Sequence, residues 1–294
     1  MVAHGADGKK LRPAALSDRM QMTTTTNRLA RTRGFFGLAE LVYHSAVRDI
    51  RKSHRNALVG LILNILQTVL FVMSFYAMYA ILGLRASAVR GDFLLYIMSG
   101  IFLYICHTKS MNAVFQSEGP ASPMMQHAPM NTAVAIFAAA LSALYMQFLS
   151  VFVVLFVYHV AFTPVTIEDP VGAMGMLVLA WFSGCAVGTI FLALKPWFPE
   201  FAKIGSSIYG RVNMIASGKM FLANTLPAAM LAMFDWNPLF HIIDQTRGYV
   251  FLNYVPYNSN IAYPIKVAVV LLVLGLLGEF YTRRHASASW NATR

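Results

Sequence analysis

Long runs of apolar residues, separated by short polar segments, dominate this sequence. Residues 57–82 hold no Asp, Glu, Lys, Arg or His over 26 positions. Because a helix needs about 20 apolar residues to cross the hydrocarbon core of a bilayer, such a run predicts a transmembrane helix. The pattern predicts six of them, over residues 57–82, 93–114, 132–162, 171–194, 201–218 and 265–281. The predicted fold is therefore an all-α integral membrane protein.

Composition supports a membrane protein and excludes several other classes. The 294 residues are 57% hydrophobic and 12% charged, whereas about 25% of the residues of an ordinary soluble domain are charged. A soluble enzyme, a disordered chain and a small secreted scaffold are all disfavoured. The two cysteines, Cys106 and Cys185, are too few for a disulfide framework or a Cys-rich zinc site. Since both lie in apolar runs, we expect reduced thiols that pack in the interior.

The distribution of positive charge predicts the orientation of the chain. Its net charge is +11, and eleven Lys and Arg residues precede residue 57, next to the first apolar run. This placement favours a membrane surface over nucleic acid. An even number of spans puts both termini on one side, which carries 18 Lys and Arg against 5 on the other. Both termini are predicted to be cytoplasmic. Lys109, near the inner end of the second run, is expected to extend its ammonium towards the membrane surface.

Polar segments flank the apolar region at both ends. Residues 1–35 lack the apolar core of a secretory signal and are predicted to be a disordered cytoplasmic tail. Residues 36–55 are predicted to form an amphipathic helix, with polar residues at spacings of three and four. Such a helix lies along the inner membrane surface. It could serve as an electrostatic anchor, as an interface for a cytoplasmic partner, or as both. Residues 286–294 are predicted to be a second cytoplasmic tail.

Motifs for catalysis are missing from the sequence. It has no Gly-x-x-x-x-Gly-Lys-Ser/Thr phosphate loop, no His-Glu-x-x-His pair and no Gly-x-Ser-Gly. Its eight histidines are scattered, so no metal site is predicted. Ser99-Gly100 and Ser183-Gly184 are better explained by close helix packing. Carboxylates deep in the membrane, which proton-driven carriers need, are scarce, and Glu279 is expected to pair with Arg283. A conduit that takes its energy from another subunit is the remaining interpretation.

The segment between the fifth and sixth runs is apolar but interrupted. Pro227 and Pro238 break it before it can cross the bilayer, so a pair of short re-entrant helices is predicted there. Asn237 is a favourable N-cap and Pro238 a favourable first helical residue. Asp244 and Arg247, three residues apart on the helix that begins at Pro238, are expected to pair with each other.

Several motifs, taken in order, resemble a known family. Ser217-Gly218, Leu226-Pro227, Asn237-Pro238-Leu239 and then Arg247, ahead of a last span, are similar to the permease subunit of type-2 ABC exporters. The closest resemblance is to the inner-membrane proteins of capsular-polysaccharide and O-antigen export, and it covers residues 36–285. Further points of similarity are Arg48-Asp49 before the first span, Ser99-Gly100, and the prolines at 120, 123 and 129. Residues 60–64 lack the Trp-Pro element common in O-antigen permeases, which favours the capsule branch.

The resemblance implies a specific mode of action. Two copies would pair around one pathway in the bacterial inner membrane and move a polysaccharide, free or lipid-linked, outwards. Separate ATP-binding subunits would dock on the N-terminal helix and on the loop at residues 111–130, at Arg48, Arg51, Lys52 and Glu118. The permease itself would be non-catalytic and bind no cofactor, and periplasmic and outer-membrane proteins would carry the polymer onward. The alternatives are an ABC exporter of a drug, lipid or other small molecule, and a stand-alone channel or secondary carrier.

Six residues are candidates for the substrate pathway. Arg211 lies near the middle of the fifth run, where a cation is costly and needs a reason. It would attract an acidic polymer, unless the segment lies deeper in the cytoplasm or the guanidinium bonds to backbone carbonyls. Lys219 raises the same question nearer the outer end. Aromatic residues near the outer face would stack on sugars or form an interfacial belt; they are Tyr249, Phe251, Tyr254 and Tyr257.

Overall fold

The apolar runs fold into long helices because a backbone in hydrocarbon must satisfy its own hydrogen bonds. The computed structural model describes residue 40 and residues 42–47, 57–83, 92–117 and 132–285. Within these ranges no residue is in a β-strand. Residues 42–47 are helical, and the longer helices are numbered here along the chain. They are α1 (Ala57–Ile81), α2 (Phe93–Gln116), α3 (Thr132–Ala161), α4 (Pro170–Leu194), α5 (Pro199–Ala216), α6 (Ala228–Phe234), α7 (Pro238–Val250) and α8 (Ala262–His285).

Five of these helices are long and apolar enough to cross a membrane: α1, within which the qualifying stretch is Val59–Ile81, and α2, α3, α4 and α8. They correspond to the first four predicted spans and to the sixth. The predicted fifth span forms the 18-residue helix α5, which lies outside this group. Glu200, Lys203 and Arg211 make α5 less apolar than the others. The count of six spans therefore stays a prediction.

The chain divides into two compact units, residues 1–44 and 45–294. In the first unit, the Nε2 atom of His44 lies 3.8 Å from a carboxylate oxygen of Glu40, four residues earlier. The separation of four residues between Glu40 and His44 is one of the spacings from which a helix over residues 36–55 was predicted. Both predicted tails, residues 1–35 and 286–294, lie outside the described residues, as do residues 36–39, 41 and 48–55 of the predicted amphipathic helix.

Small residues let α4 pack closely against α2. A Cβ atom added to Gly184 would lie 2.3 Å from the carbonyl oxygen of His107, and one added to Gly188 would lie 2.6 Å from that of Met111. Only glycine permits this separation of the two backbones. The prediction that Ser183-Gly184 marks a helix contact is confirmed. As a result α2 is largely buried, whereas α1 is largely exposed.

The other side of α4 packs against α8 in the same way. A Cβ atom on Gly275 would lie 2.3 Å from the Thr189 hydroxyl oxygen. At the end of this contact, Trp197 Nε1 donates a hydrogen bond to Thr282 over 2.8 Å. Cys106 and Cys185 are buried free thiols, as predicted. The three helices α2, α4 and α8 thus form one packed layer.

Short helices fill the interrupted segment between α5 and α8. They are the 3₁₀ turn Ala223–Thr225, then α6, then α7. Asn237 caps α7 by accepting a hydrogen bond from the Leu239 amide over 3.0 Å, and Pro238 is the first helical residue, as predicted. Most side chains of α7 are buried. The position of these helices relative to the membrane stays a prediction.

Candidate functional site in a cleft between α1, α2 and α5

A cleft of about 470 Å³ opens between α1, α2 and α5. Its wall combines aromatic, amide, hydroxyl and cationic side chains. It is lined by Gln67, Phe71, Tyr104, Ile105, Thr108, Lys109, Met111, Asn112, Phe115, Gln116, Lys203, Ser206, Ser207, Gly210, Arg211 and Met214.

Helix α5 presents its polar face to this cleft. Lys203, Ser207, Arg211 and Met214 follow one another at spacings of four, four and three, which place them on one side of a helix. Apolar residues of α5 that do not line the cleft are exposed on the single chain, among them Phe201, Ile204, Ile208 and Ile215. The limited apolarity of α5 therefore has a structural reason, because one of its faces borders a polar cleft.

The charges that line the cleft have one sign. Lys109, Lys203 and Arg211 are cationic, and among the described residues no carboxylate lines the cleft. Arg211 is exposed, and in the part of the chain that the structure describes it has neither a hydrogen bond nor an ion pair. The proposal that backbone carbonyls hold its guanidinium has no support among those residues. The cleft is consequently a region of positive potential.

Lys109 belongs to a polar network that joins α1, α2 and α3. Its Nζ atom donates to Asn64 Oδ1 and, over 2.7 Å, to Gln67 Oε1. The Asn64 amide in turn donates to Ser150 Oγ, and Gln147 Nε2 donates to Asn64 Oδ1 over 3.4 Å. The ammonium of Lys109 thus turns to the amides of the neighbouring helix, and its extension towards the membrane surface stays a prediction.

A cage of aromatic rings holds Lys219 beside one end of the cleft. Its Nζ atom lies 3.8 Å from the ring centre of Tyr104, 5.2 Å from that of Phe75 and 5.5 Å from that of Phe71. It also donates to the carbonyl oxygen of Met214. Lys219 is 3% exposed. Since the Tyr104 and Phe71 rings line the cleft, they separate Lys219 from its interior.

Arg247 fixes the turn that carries Lys219. Its guanidinium donates to the carbonyl oxygens of Gly218 over 3.1 Å, Lys219 over 2.8 Å and Phe221 over 2.6 Å. It also lies 4.4 Å from the ring centre of Tyr96. The predicted pair between Asp244 and Arg247 is wrong. Packing of α7 against the turn offers Arg247 three carbonyls, which the spacing along one helix could not reveal.

Asp244 bonds instead to the loop between α7 and α8. It accepts hydrogen bonds from the Tyr254 hydroxyl and, over 2.7 Å, from the Ser259 hydroxyl. Burial, together with the nearby Asp244 carboxylate, raises the pKa of Tyr254. The phenol therefore stays protonated and remains a donor to Asp244.

Two further residues shape the turn between α5 and the 3₁₀ helix. Asn237 donates to Asn213 Oδ1 over 3.0 Å and to the Ala216 carbonyl oxygen over 2.9 Å. Gly218 has a φ of 71°, and a Cβ atom there would lie 2.5 Å from the Phe240 ring. Both the positive φ and the close contact require glycine. Gly218, Asn237 and Arg247, which belong to the motifs of the family resemblance, thus meet at one turn.

The four predicted aromatic residues are not gathered in one lining. Phe251 and Tyr254 are buried within the chain, Tyr249 is half-buried, and Tyr257 is 80% exposed. Tyr249 packs beside Gly172 at the start of α4. In the single chain, Phe251 and Tyr254 contribute to the core, and Tyr257 is the aromatic side chain accessible from outside. None of the four borders the cleft.

The predicted ATPase-docking residues cannot be placed. Arg48, Arg51, Lys52 and Glu118 lie outside the described residues. Among the residues that are described, no group of three His, Cys, Asp or Glu side chains could hold a metal ion.

The sequence did not lead to the prediction of the two amides that bind Lys109, of which Gln67 lines the cleft. Asn64 and Gln67 are polar residues inside an otherwise apolar run, three positions apart and so on one face of α1. That spacing indicates a polar face on α1 that contacts another helix. Their partner Lys109 could not be identified from the sequence, because the relative rotation of α1 and α2 depends on packing.

The amino-acid sequence is similar to those of two known transport proteins. Two Escherichia coli proteins, each named polysialic acid transport protein KpsM, are 30% and 29% identical to the chain over 114 residues. The predicted resemblance to capsule-export permeases is confirmed. The aligned residues cover 37% of this chain and 43% of each relative, less than half of either length. No model of a known protein family matches the chain.

Proposed function

We propose that this chain is the permease subunit of an ATP-driven ABC exporter that moves an acidic polysaccharide of the capsule type outwards across the bacterial inner membrane. The similarity to polysialic acid transport proteins carries the proposal. The all-helical fold with five membrane-competent helices and the cationic cleft support it.

The cationic side chains of the cleft suggest how an acidic polysaccharide would be bound on its way through the permease. Arg211 keeps its charge at any physiological pH and offers several donors to a carboxylate or phosphate. No carboxylate lines the cleft in the described part of the chain, so no described side chain on its wall competes for the guanidinium. One such contact holds a passing acidic group for a limited time and still releases it, which transport requires.

The chain would work as a homodimer with separate ATP-binding subunits. We expect those subunits to dock at Arg48, Arg51 and Lys52 of the N-terminal helix and at Glu118 of the loop that follows α2. ATP hydrolysis would take place in the separate subunits, and the permease would convert their closure into movement of the helices around the cleft. Lys219, Tyr249, Phe251, Tyr254 and Tyr257 remain proposed contacts along the pathway towards the outer side. Further proteins of the periplasm and outer membrane would receive the polymer.

Replacing Arg211 tests the role of the cleft in export. We expect Arg211→Ala to reduce the surface polymer about tenfold, since one charge-assisted hydrogen bond contributes about 1.5–3 kcal/mol. Arg211→Lys should keep part of the activity. The measurement is surface polysaccharide per cell, with co-purification of the ATP-binding subunit as the check on assembly.

Lys266→Ala provides the control, because Lys266 is exposed and lies outside the cleft. It should export normally. Normal export by Arg211→Ala, or an equal loss from both variants, would contradict the pathway role of Arg211. Failure of the chain to co-purify with any ATP-binding protein would contradict the exporter assignment itself.

A further inference from the structure

We infer that the cleft contains a binding site for one oxyanion, a phosphate or a carboxylate, whose ligands are the ammonium of Lys109 and the guanidinium of Arg211. The inference rests on the proposed function only for the source of the anion, which is an acidic group of the exported chain, a lipid headgroup or free phosphate.

The hydrogen bonds of Lys109 leave one donor for a ligand. An ammonium has three N–H donors. Two of them are used by Asn64 Oδ1 and Gln67 Oε1, and Lys109 lines the cleft. The third donor is available to a group inside the cleft.

The surrounding network fixes this arrangement. The Asn64 amide nitrogen donates to Ser150 Oγ and, over 3.5 Å, to the Met146 carbonyl oxygen. These bonds turn the amide oxygen of Asn64 towards Lys109. The ammonium is therefore held by neutral oxygens that orient it but supply no counter-charge.

The missing counter-charge is the main argument for an anion. The ammonium of Lys109 is half-buried, and a cation that has lost part of its water is costly unless a charge of opposite sign pairs with it. The described residues that line the cleft include three cations and no carboxylate. The exposed Arg211 has no partner among the described residues. One oxyanion in the cleft would satisfy both cations, and a volume of about 470 Å³ accommodates it together with water.

The shape of the two cationic groups favours an oxyanion over a halide. Planar guanidinium binds carboxylate and phosphate with two parallel hydrogen bonds, while an ammonium adds a point charge. The hydroxyl of Ser207 lines the same cleft and offers a further donor. A group with several acceptor oxygens can use all of these donors at once.

Calorimetric titration of the purified full chain in a neutral detergent tests the site. Three probes distinguish the sources: sodium phosphate, an oligomer of sialic acid, and short-chain phosphatidylglycerol with phosphatidylcholine as its uncharged counterpart. We expect Lys109→Gln and Arg211→Gln each to weaken binding of the preferred probe about tenfold, from the loss of one charge-assisted hydrogen bond. The probe that binds most tightly identifies the source. Lys266→Gln, which removes an exposed charge outside the cleft, should bind like the unaltered chain.

Gln67→Glu keeps the test decisive if Lys109→Gln fails to fold. The new carboxylate would occupy the place of an amide oxygen that lies 2.7 Å from the ammonium, so it supplies the counter-charge from within. We expect a well-folded chain with about tenfold weaker anion binding. Binding of no probe, unchanged binding in Gln67→Glu and Arg211→Gln, or an equal loss in Lys266→Gln would overturn the site. An exporter that binds no anion would leave the ABC-exporter assignment standing but not the role of Arg211. A chain that binds an anion but pairs with no ATP-binding subunit would refute only the exporter assignment.

Discussion

Arg247 shows how a single buried charge can be structural. It is 1% exposed and donates to three carbonyl oxygens of one turn. Those carbonyls lie outside a regular helix and need donors other than water, because Arg247 and Lys219 are buried within the chain. A guanidinium supplies several donors in one plane, which a lysine cannot. Arg247, one of the residues in which the chain resembles ABC exporter permeases, therefore stabilises the turn at Gly218 and Lys219.

Arg247→Lys is expected to lower the free energy of unfolding by roughly 3 kcal/mol. The ammonium cannot reach all three carbonyls, and each buried polar group left without a partner costs about 1–3 kcal/mol. Thermal unfolding of the purified chain in detergent, followed by circular dichroism, measures the change. Arg211→Lys is the matched control, because Arg211 is exposed and has no partner among the described residues. Equal midpoints for the two variants would show that the turn does not depend on Arg247.

At the scale of single residues, local signals were predictable and long-range partners were not. Asn237 and Pro238 have a role at the start of a helix that depends on their own backbone, so the sequence predicted both. Arg247 contacts residues 26 to 29 positions away. Its spacing from Asp244 allowed a local pair, but the carbonyls of the packed turn compete successfully for its donors.

At the scale of helices, small residues decide which spans lie side by side. Gly184 and Gly188 allow the backbones of α4 and α2 to approach, and Gly275 has the same role between α4 and α8. Helices in lipid gain little from the hydrophobic effect, so close van der Waals contact of this kind contributes much of their association.

Gly184→Val is expected to destabilise the chain by about 1–3 kcal/mol, since overpacking forces the neighbouring backbone to move. The His107 carbonyl oxygen, 2.3 Å from the added Cβ atom, is part of α2 and has little freedom to shift. Gly175→Val in the same helix is the control, because nothing lies within 4 Å of a Cβ atom there. Both variants can be compared by their unfolding midpoints in detergent. If Gly175→Val lowers the midpoint as much, helix propensity and not packing explains the effect.

The elements themselves were predictable to different degrees. The five apolar spans required only length and hydropathy, which the sequence contains directly. Helix α5 was predicted as a span on the same grounds, but its polar face borders the cleft and lowers its apolarity. The cleft was not predictable, because it depends on the rotation of three helices about their axes.

For the whole molecule, orientation in the membrane is the main open prediction. Reporter fusions at residues 30 and 290 should both show a cytoplasmic location, and an insertion at residue 165, between α3 and α4, should lie outside. The physical reason is the 18-to-5 distribution of Lys and Arg between the two sides. Alkaline phosphatase and green fluorescent protein fusions report the two sides independently. An outer location for residue 290 together with an inner location for residue 30 would mean that α5 does not cross the membrane.

The polar face of α5 has a consequence for biogenesis. Transfer of α5 alone from the translocon into lipid would be unfavourable in free energy, since the helix carries Glu200, Lys203 and Arg211 within 18 residues. It gains a suitable environment only after α1 and α2, synthesised earlier, provide the opposite walls of the cleft. If α5 stayed in the cytoplasm, α8 would enter in reverse and carry Arg283 and Arg284 to the outer side, against the charge rule. If α5 is the fifth span, the basic end of α8 would therefore favour completed insertion of α5.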